Sequence, residues 1–200
     1  MGDVYGQRLL KRDLNGYILN EEGVGLAMEN KETYLGSILP KMNMGWSLGF
    51  GYKGVNLGMT FTGRFGGIVI SETQSVLDAA GVSKVSADVR DAGGAQINQS
   101  KVSAQTYYQT IQGTAAYYTY SATNVRLGEL SLSYTLPKKW FDNKVGMTVG
   151  LVGKNLWMIY GKAPFDPELT TSAASNFYQG FDAYMLPSTR NFGFNVKFQF

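Results

Sequence analysis

Between Met42 and Tyr52 every even position is apolar: Met42, Met44, Trp46, Leu48, Phe50 and Tyr52. The odd positions are Asn43, Gly45, Ser47, Gly49 and Gly51. After Lys53-Gly54 the pattern resumes, with Val55, Leu57, Met59, Phe61 and Phe65 set against Asn56, Gly58, Thr60, Thr62 and Arg64. A period of two places alternate side chains on opposite faces of a strand, so this stretch predicts a β-hairpin with one apolar and one small, polar face. The pattern recurs in Leu130, Leu132, Tyr134 and Leu136, in Val145, Met147, Val149 and Leu151, and in Phe192, Phe194, Val196, Phe198 and Phe200. Val125 and Leu127 have the opposite parity to Leu130, which predicts a bulge near Gly128.

Strands are expected near residues 42–52, 55–65, 124–136, 144–159 and 190–200, with a possible sixth over 3–12. Eleven residues at about 3.3 Å each reach roughly 36 Å, enough to cross an apolar band ~25 Å tall at a tilt near 45°. Soluble strands are usually about half as long. The connections alternate as well. Residues 13–41, 66–123 and 160–189 are long links, whereas 53–54 and 137–143 are short. Outer-membrane barrels show this rhythm, with short periplasmic turns and long external loops. The fold class expected is therefore all-β: an antiparallel up-and-down transmembrane β-barrel, of which the chain holds only the last five or six strands with long external loops. Residues 53–54 and 137–143 should face the periplasm.

Alternation does not say which face meets which solvent. A soluble sandwich would bury the apolar face; a barrel would turn it to lipid. Two features favour the barrel. The polar face is rich in glycine and poor in charge, unlike a soluble surface. Aromatic residues cluster at the strand ends: Phe50, Tyr52, Tyr134, Trp140, Phe141, Phe198 and Phe200 at one end, Phe65, Trp157 and Tyr160 at the other. Such belts suit membrane–water interfaces.

Composition narrows the chemistry. The 200 residues carry a net charge of +3, too small to call for nucleic acid. Only 16% are charged while 14% are aromatic, which argues against disorder. There is no cysteine and no histidine. That removes disulfides, thiolate chemistry, histidine metal centres and Ser-His-Asp catalysis. No apolar run is long enough for a transmembrane helix, and Met1-Gly2-Asp3 does not open a signal peptide.

With the strands placed, the chain resembles the C-terminal part of the SusC/RagA family of TonB-dependent outer-membrane transporters. The resemblance rests on Asn124-Val125-Arg126-Leu127 leading into Leu130-Ser131-Leu132-Ser133-Tyr134-Thr135-Leu136-Pro137, on Gly153-Lys154-Asn155-Leu156-Trp157, and on Phe165-Asp166-Pro167-Glu168. It extends to Pro187-Ser188-Thr189-Arg190-Asn191-Phe192-Gly193-Phe194-Asn195-Val196 and to Tyr52-Lys53-Gly54-Val55-Asn56-Leu57. Residues 74–94, with Gly81-Val82-Ser83-Lys84 and Arg90-Asp91-Ala92-Gly93-Gly94, look like an external loop of one branch. The resemblance implies a 22-stranded parent barrel, of which this chain is about the last fifth, without the signal peptide, plug or TonB-contacting segment. It implies import of oligosaccharides or peptides across the outer membrane of a Gram-negative, Bacteroidetes-type cell. The implied partners are TonB, outer-membrane lipid and a SusD-like surface lipoprotein. It also implies that the last strand, with Phe192, Phe194, Val196, Phe198 and Phe200, signals to the assembly machinery.

Candidate site residues are few. Tyr107, Tyr108, Tyr117, Tyr118 and Tyr120 lie in an uncharged stretch with Gln105, Gln109 and Gln112, and could either contact substrate or pack the loop on itself. Arg64, Lys154 and Lys197 share the parity expected of a lumen, to meet an anionic substrate or to pair with neighbouring carboxylates. Asp166, Glu168 and Asp182 alone resemble a catalytic acidic group, but with no histidine no catalytic residue is assigned and no enzyme activity is expected. Asp13-Leu14-Asn15-Gly16 has a calcium-loop-like start, but Tyr17 follows where a ligand should stand and the twelfth-position glutamate is missing. An Asx-type turn is the better reading, and no metal or cofactor is expected. The alternatives to the transporter are a soluble β-rich glycan-binding module and, behind it, an outer-membrane barrel enzyme.

Overall fold

The computed structural model describes residues 2–4, 7–13, 16–17, 28–97, 100–112, 114–141, 145–169 and 179–199. The chain forms two compact units. One comprises Pro40–Gly66, Thr123–Asp166 and Pro187–Phe200, the other Met1–Leu39, Gly67–Ala122 and Pro167–Leu186.

The first unit is a single five-stranded sheet. Its strands are β1 (Met42–Tyr52), β2 (Val55–Phe65), β3 (Asn124–Thr135), β4 (Gly146–Gly161) and β5 (Asn191–Gln199). They lie side by side in chain order, each antiparallel to the next. Lys53 and Gly54 join β1 to β2 with φ of 46° and 87°. Two consecutive positive φ values define the tight turn whose twist matches the strands it joins. β4 spans 16 residues and lies two positions later than the 144–159 expected from the sequence.

The sheet keeps its two faces distinct throughout. Trp46 lies opposite Phe61, Leu48 opposite Met59 and Phe50 opposite Leu57. Leu57 in turn lies opposite Leu132, Leu132 opposite Leu151, and Leu151 opposite Phe194. Near Gly128 the register shifts: Leu127 pairs with Phe61, but Glu129 pairs with the adjacent Thr60. Gly128 is the extra residue, and inserting it lets Leu127 and Leu130 share one face, as the parity change requires. The strand is edge-exposed on both sides of the sheet, at β1 and β5; the described residues form no closed barrel.

Residues 3–12 add no sixth strand to this sheet. Asp3–Val4 pairs with Gly36–Ser37 and Gln7–Leu10 with Met28–Thr33, each as a separate ribbon. Arg12–Asp13 and Gly16–Tyr17 pair with each other, while Leu14 and Asn15 of the calcium-like motif lie outside the described residues.

The second unit departs from an all-β reading. Its described residues include three eight-residue helices: α1 (Glu72–Ala79), α2 (Lys84–Asp91) and α3 (Ala104–Ile111). Each starts on a serine whose hydroxyl accepts from the amide three residues on: Ser71 from Gln74, Ser83 from Ser86 and Ser103 from Thr106, at 3.0, 3.0 and 3.1 Å. Such caps satisfy one of the free amides at a helix start and are worth about 1 kcal/mol. Ile68–Ser71 pairs antiparallel with Thr119–Ser121 and parallel with Phe181–Asp182. Ile97, Tyr107, Tyr108, Ile111 and Tyr118 form the core of this unit.

Candidate functional site

The two faces of the sheet define the first candidate surface. On the polar face, Asn43, Arg64 and Asn124 lie in one row across β1 to β3. Ser47, Thr60 and Glu129 form another, and Ser133 and Asn56 flank Gly150 and Asn195 in a third. Hydroxyl pairs bridge neighbouring strands, Ser47 Oγ to Thr60 Oγ1 at 3.1 Å and Thr135 Oγ1 to Thr148 Oγ1 at 3.2 Å. Glycine at Gly45, Gly49, Gly51, Gly58, Gly150 and Gly193 keeps this face low. Small residues and scattered hydroxyls offer hydrogen bonds without a pairing of nucleophile and base.

Lys154, Lys197 and Arg64, three of the cations of this face, meet different neighbours. Lys154 Nζ lies 3.7 Å from Glu129 Oε2, with both side chains largely exposed, so the pair contributes little to stability. Glu129 reaches this face only because of the bulge at Gly128. Lys197 lies opposite Thr148, and Arg64 between Asn43 and Asn124.

The other face is apolar and open. Trp46, Phe50, Leu151, Phe192 and Phe194 are 64%, 59%, 58%, 80% and 68% exposed. Val196 and Phe198 extend the same row along β5, while Phe200 lies outside the described residues. A soluble monomer rarely exposes a continuous apolar patch beyond a few hundred Å².

A buried ionic cluster closes the long-connection end of the sheet. Arg126 projects from the polar parity of β3 and is 8% exposed. Its guanidinium donates to both carboxylate oxygens of Asp166, at 2.6 and 3.0 Å. It also donates to Asn155 Oδ1 at 3.3 Å and to Asn124 Oδ1 at 3.4 Å. Asn155 sits in the left-handed region, φ 53°, within β4. Its amide nitrogen donates to the Thr189 carbonyl at 3.1 Å. The cluster thus ties β3, β4, the chain before β5 and the chain after β4 together. A bidentate, desolvated pair fixes geometry, and removing one partner leaves an uncompensated charge. In the sequence Arg126 and Asn155 stand out only as parts of the motifs that carry the resemblance, and Asp166 also as one of the acidic group. The available signal was an arginine on the small-residue parity of a strand, where charge is otherwise sparse.

The tyrosine-rich stretch is a core and not an open platform. Tyr107, Tyr108 and Tyr118 are 9%, 1% and 1% exposed, and Tyr117 and Tyr120 pack half-buried against them. Tyr107 meets Tyr108 edge-on at 5.0 Å, and Tyr117 meets Tyr118 at 5.0 Å, geometries that favour aromatic pairs. Burial, reinforced by the carboxylate of Asp78, pushes the Tyr108 and Tyr120 hydroxyls up to about 12. It pushes Tyr118 higher still. Of the two roles open to these tyrosines, the burial of Tyr107, Tyr108 and Tyr118 favours packing the loop on itself.

Two of the three acidic residues, Asp166 and Asp182, are engaged in separate places. Asp166 belongs to the Arg126 cluster. Asp182, also buried, accepts from Ser71 Oγ at 2.5 Å and Thr73 Oγ1 at 3.1 Å, and so locks the start of α1. Among the described residues no group of three or more metal-ligating side chains assembles, and no helix is long and apolar enough to cross a membrane.

The described residues thus form an antiparallel meander with one apolar and one polar face, broken by long connections that carry their own small core. Known structures share this fold. The chain takes the fold of part of the RagAB peptide importer. It superposes on the open-open state with a TM-score of 0.66 at 20% identity, covering 99% of this chain and 22% of that one. For the closed-closed state the values are 0.61, 19%, 98% and 22%. For a further structure, of the RagAB peptide transporter, they are 0.62, 18%, 98% and 22%. The chain thus spans about a fifth of the length of these proteins, all of them transporters. No protein-family profile and no curated protein matches the sequence.

Proposed function

We propose that the chain is part of a SusC/RagA-type TonB-dependent outer-membrane transporter, one section of a barrel wall. The observation that carries this reading is the exposed apolar face of the five-stranded sheet, opposite a small, polar face, in a fold that matches an importer over 99% of the chain. The apolar face meets outer-membrane lipid, and the polar face, with Arg64, Lys154 and Lys197, borders the substrate passage. Imported substrates are oligosaccharides or peptides; the peptide importer among the structural neighbours favours peptides. Energy comes from TonB through a part of the transporter not contained in this chain, and a SusD-like lipoprotein covers the outer mouth. Phe192, Phe194, Val196, Phe198 and Phe200 present the last strand for assembly. Nothing in this reading assigns a catalytic step.

The test is uptake by Gram-negative cells carrying the full-length transporter. Radiolabelled peptide should enter only when TonB is active, and the transporter should copurify with a surface lipoprotein from detergent extracts. A chain that is a soluble, strand-rich monomer in detergent-free buffer would overturn the reading in favour of the glycan-binding module.

A further inference from the structure

The helical unit carries a half-open cavity of about 370 Å³ lined by residues of α1, α2 and α3. That is the lower end of the range for small-ligand sites. Its lining carries two sets of groups of opposite electrical character.

One set is negative. Asp78, Ala79, Ala80 and Gly81 form the C-terminal end of α1 and line the cavity. Asp78 is 4% exposed. Gln74 Nε2 donates to it at 2.7 Å, yet among the described residues no lysine or arginine pairs with it. The last turn of α1 has no basic residue to offset the negative end of its dipole. A buried carboxylate at such a helix end is an electrostatic seat for a cation.

The other set is positive. Ser103, Ala104 and Gln105 open α3 and line the same cavity. Ser103 Oγ caps the Thr106 amide, and the first turn holds no acidic residue. The amides of Ala104 and Gln105 precede the capped position, so they add the positive end of the helix dipole. Arg90 also lines the cavity; its exposed guanidinium reaches Asp91 only at 3.6 Å. The wall between these sets includes Tyr108 and the buried Ser86.

We propose that this cavity binds a small zwitterion, a free amino acid or a dipeptide, with its ammonium at Asp78 and the end of α1 and its carboxylate at Arg90 and the start of α3. An amine or an anion alone would use half of the groups. The proposal goes beyond transport, since it concerns a cavity inside the helical unit and is read by binding.

The experiment is calorimetric titration of the full chain in detergent micelles with three probes: Ala-Ala, N-acetyl-Ala-Ala and Ala-Ala amide. Ala-Ala should bind, and each blocked form should bind at least about tenfold more weakly, the loss expected for one charge-assisted hydrogen bond. Asp78→Asn should abolish the preference for a free amine. Arg90→Gln, at an exposed side chain that leaves the fold intact, should abolish the preference for a free carboxylate and leave Ala-Ala amide unaffected. Equal binding of all three probes, or no binding of Ala-Ala with a Kd below roughly 10 mM, would overturn the assignment. Uptake through the barrel would be untouched by either result.

Discussion

The two units of this chain treat aromatic side chains in opposite ways. In the helical unit Tyr108 and Tyr118 are 1% exposed and pack against Ile97 and Ile111. In the sheet unit Trp46, Trp157, Phe192 and Phe194 stand in the open. Both units are ordered by the same hydrophobic effect. The helical unit gathers its apolar groups inward around caps and short strands. The sheet satisfies its backbone polar groups strand to strand and leaves its apolar groups outward, an arrangement that suits the barrel wall proposed above. The difference teaches that burial within one chain does not account for every apolar face it carries.

Each prediction tests that contrast. The largest effect is expected at Tyr108. Tyr108→Ala should cost the helical unit about 3–5 kcal/mol by opening a cavity in its small core. Hydrogen exchange should quicken across residues 72–111 while the amides of β2 to β4 keep their protection; equal loss in both units would merge them into one cooperative body. Alkali should act on the same core. The Tyr108 hydroxyl lies near 12 when folded and near 10 when unfolded, so its contribution is intact below pH 10 and is lost as the pH rises through 12. Near-ultraviolet spectroscopy should register the loss of tyrosine packing in that window.

Asp166→Ala comes next. It strands the buried Arg126 guanidinium, a loss of about 3–5 kcal/mol confined to the long-connection end of the sheet. Proteolysis should open near Thr189, and the double variant Arg126→Met/Asp166→Ala should recover much of the loss. A double variant no better than the single one would show that the cluster acts through packing and not through charge.

Leu132→Arg places a charge at the middle of the apolar face. In a bilayer it should cost about 2–4 kcal/mol and sharply lower the amount assembled in the outer membrane. Ser131→Arg, its neighbour on the polar face, should be tolerated. A soluble chain would reverse the contrast, since Leu132 is already 46% exposed to solvent there and an arginine would improve solubility.

Gly54→Val carries the smallest effect. The position has φ 87°, and a Cβ there would lie 2.8 Å from the Thr135 carbonyl oxygen. The strain should be about 1–3 kcal/mol, visible as a lower melting temperature in gel-shift assays without a change of topology. An unchanged melting temperature would mean that the hairpin turn relaxes freely.

How much of this was legible in advance follows from the range over which each signal acts. Strand placement, the parity flip at Gly128 and the Lys53-Gly54 turn are local, because alternation and turn chemistry repeat every two residues and need no distant partner. The helices of residues 72–111 leave little trace in the pattern, although Ser71, Ser83 and Ser103 each stand where a cap belongs. Two turns of helix carry too few apolar positions to establish a period against a background of strands. The tyrosines were visible as a cluster, but not as buried or exposed, since burial depends on Ile97 and Ile111 folding over them.

The Arg126 cluster depended on the third dimension throughout. Arg126 and Asp166 are 40 positions apart, and only the β3–β4 pairing, with Asn155 turned into the left-handed region, brings the guanidinium to the carboxylate. Alternation dictated the strands and the composition of their two faces, because each strand carries that information in its own spacing. Tertiary structure decided which aromatic residues are buried, which charges are paired and where the helical cavity lies, because these depend on contacts between segments that no local period records.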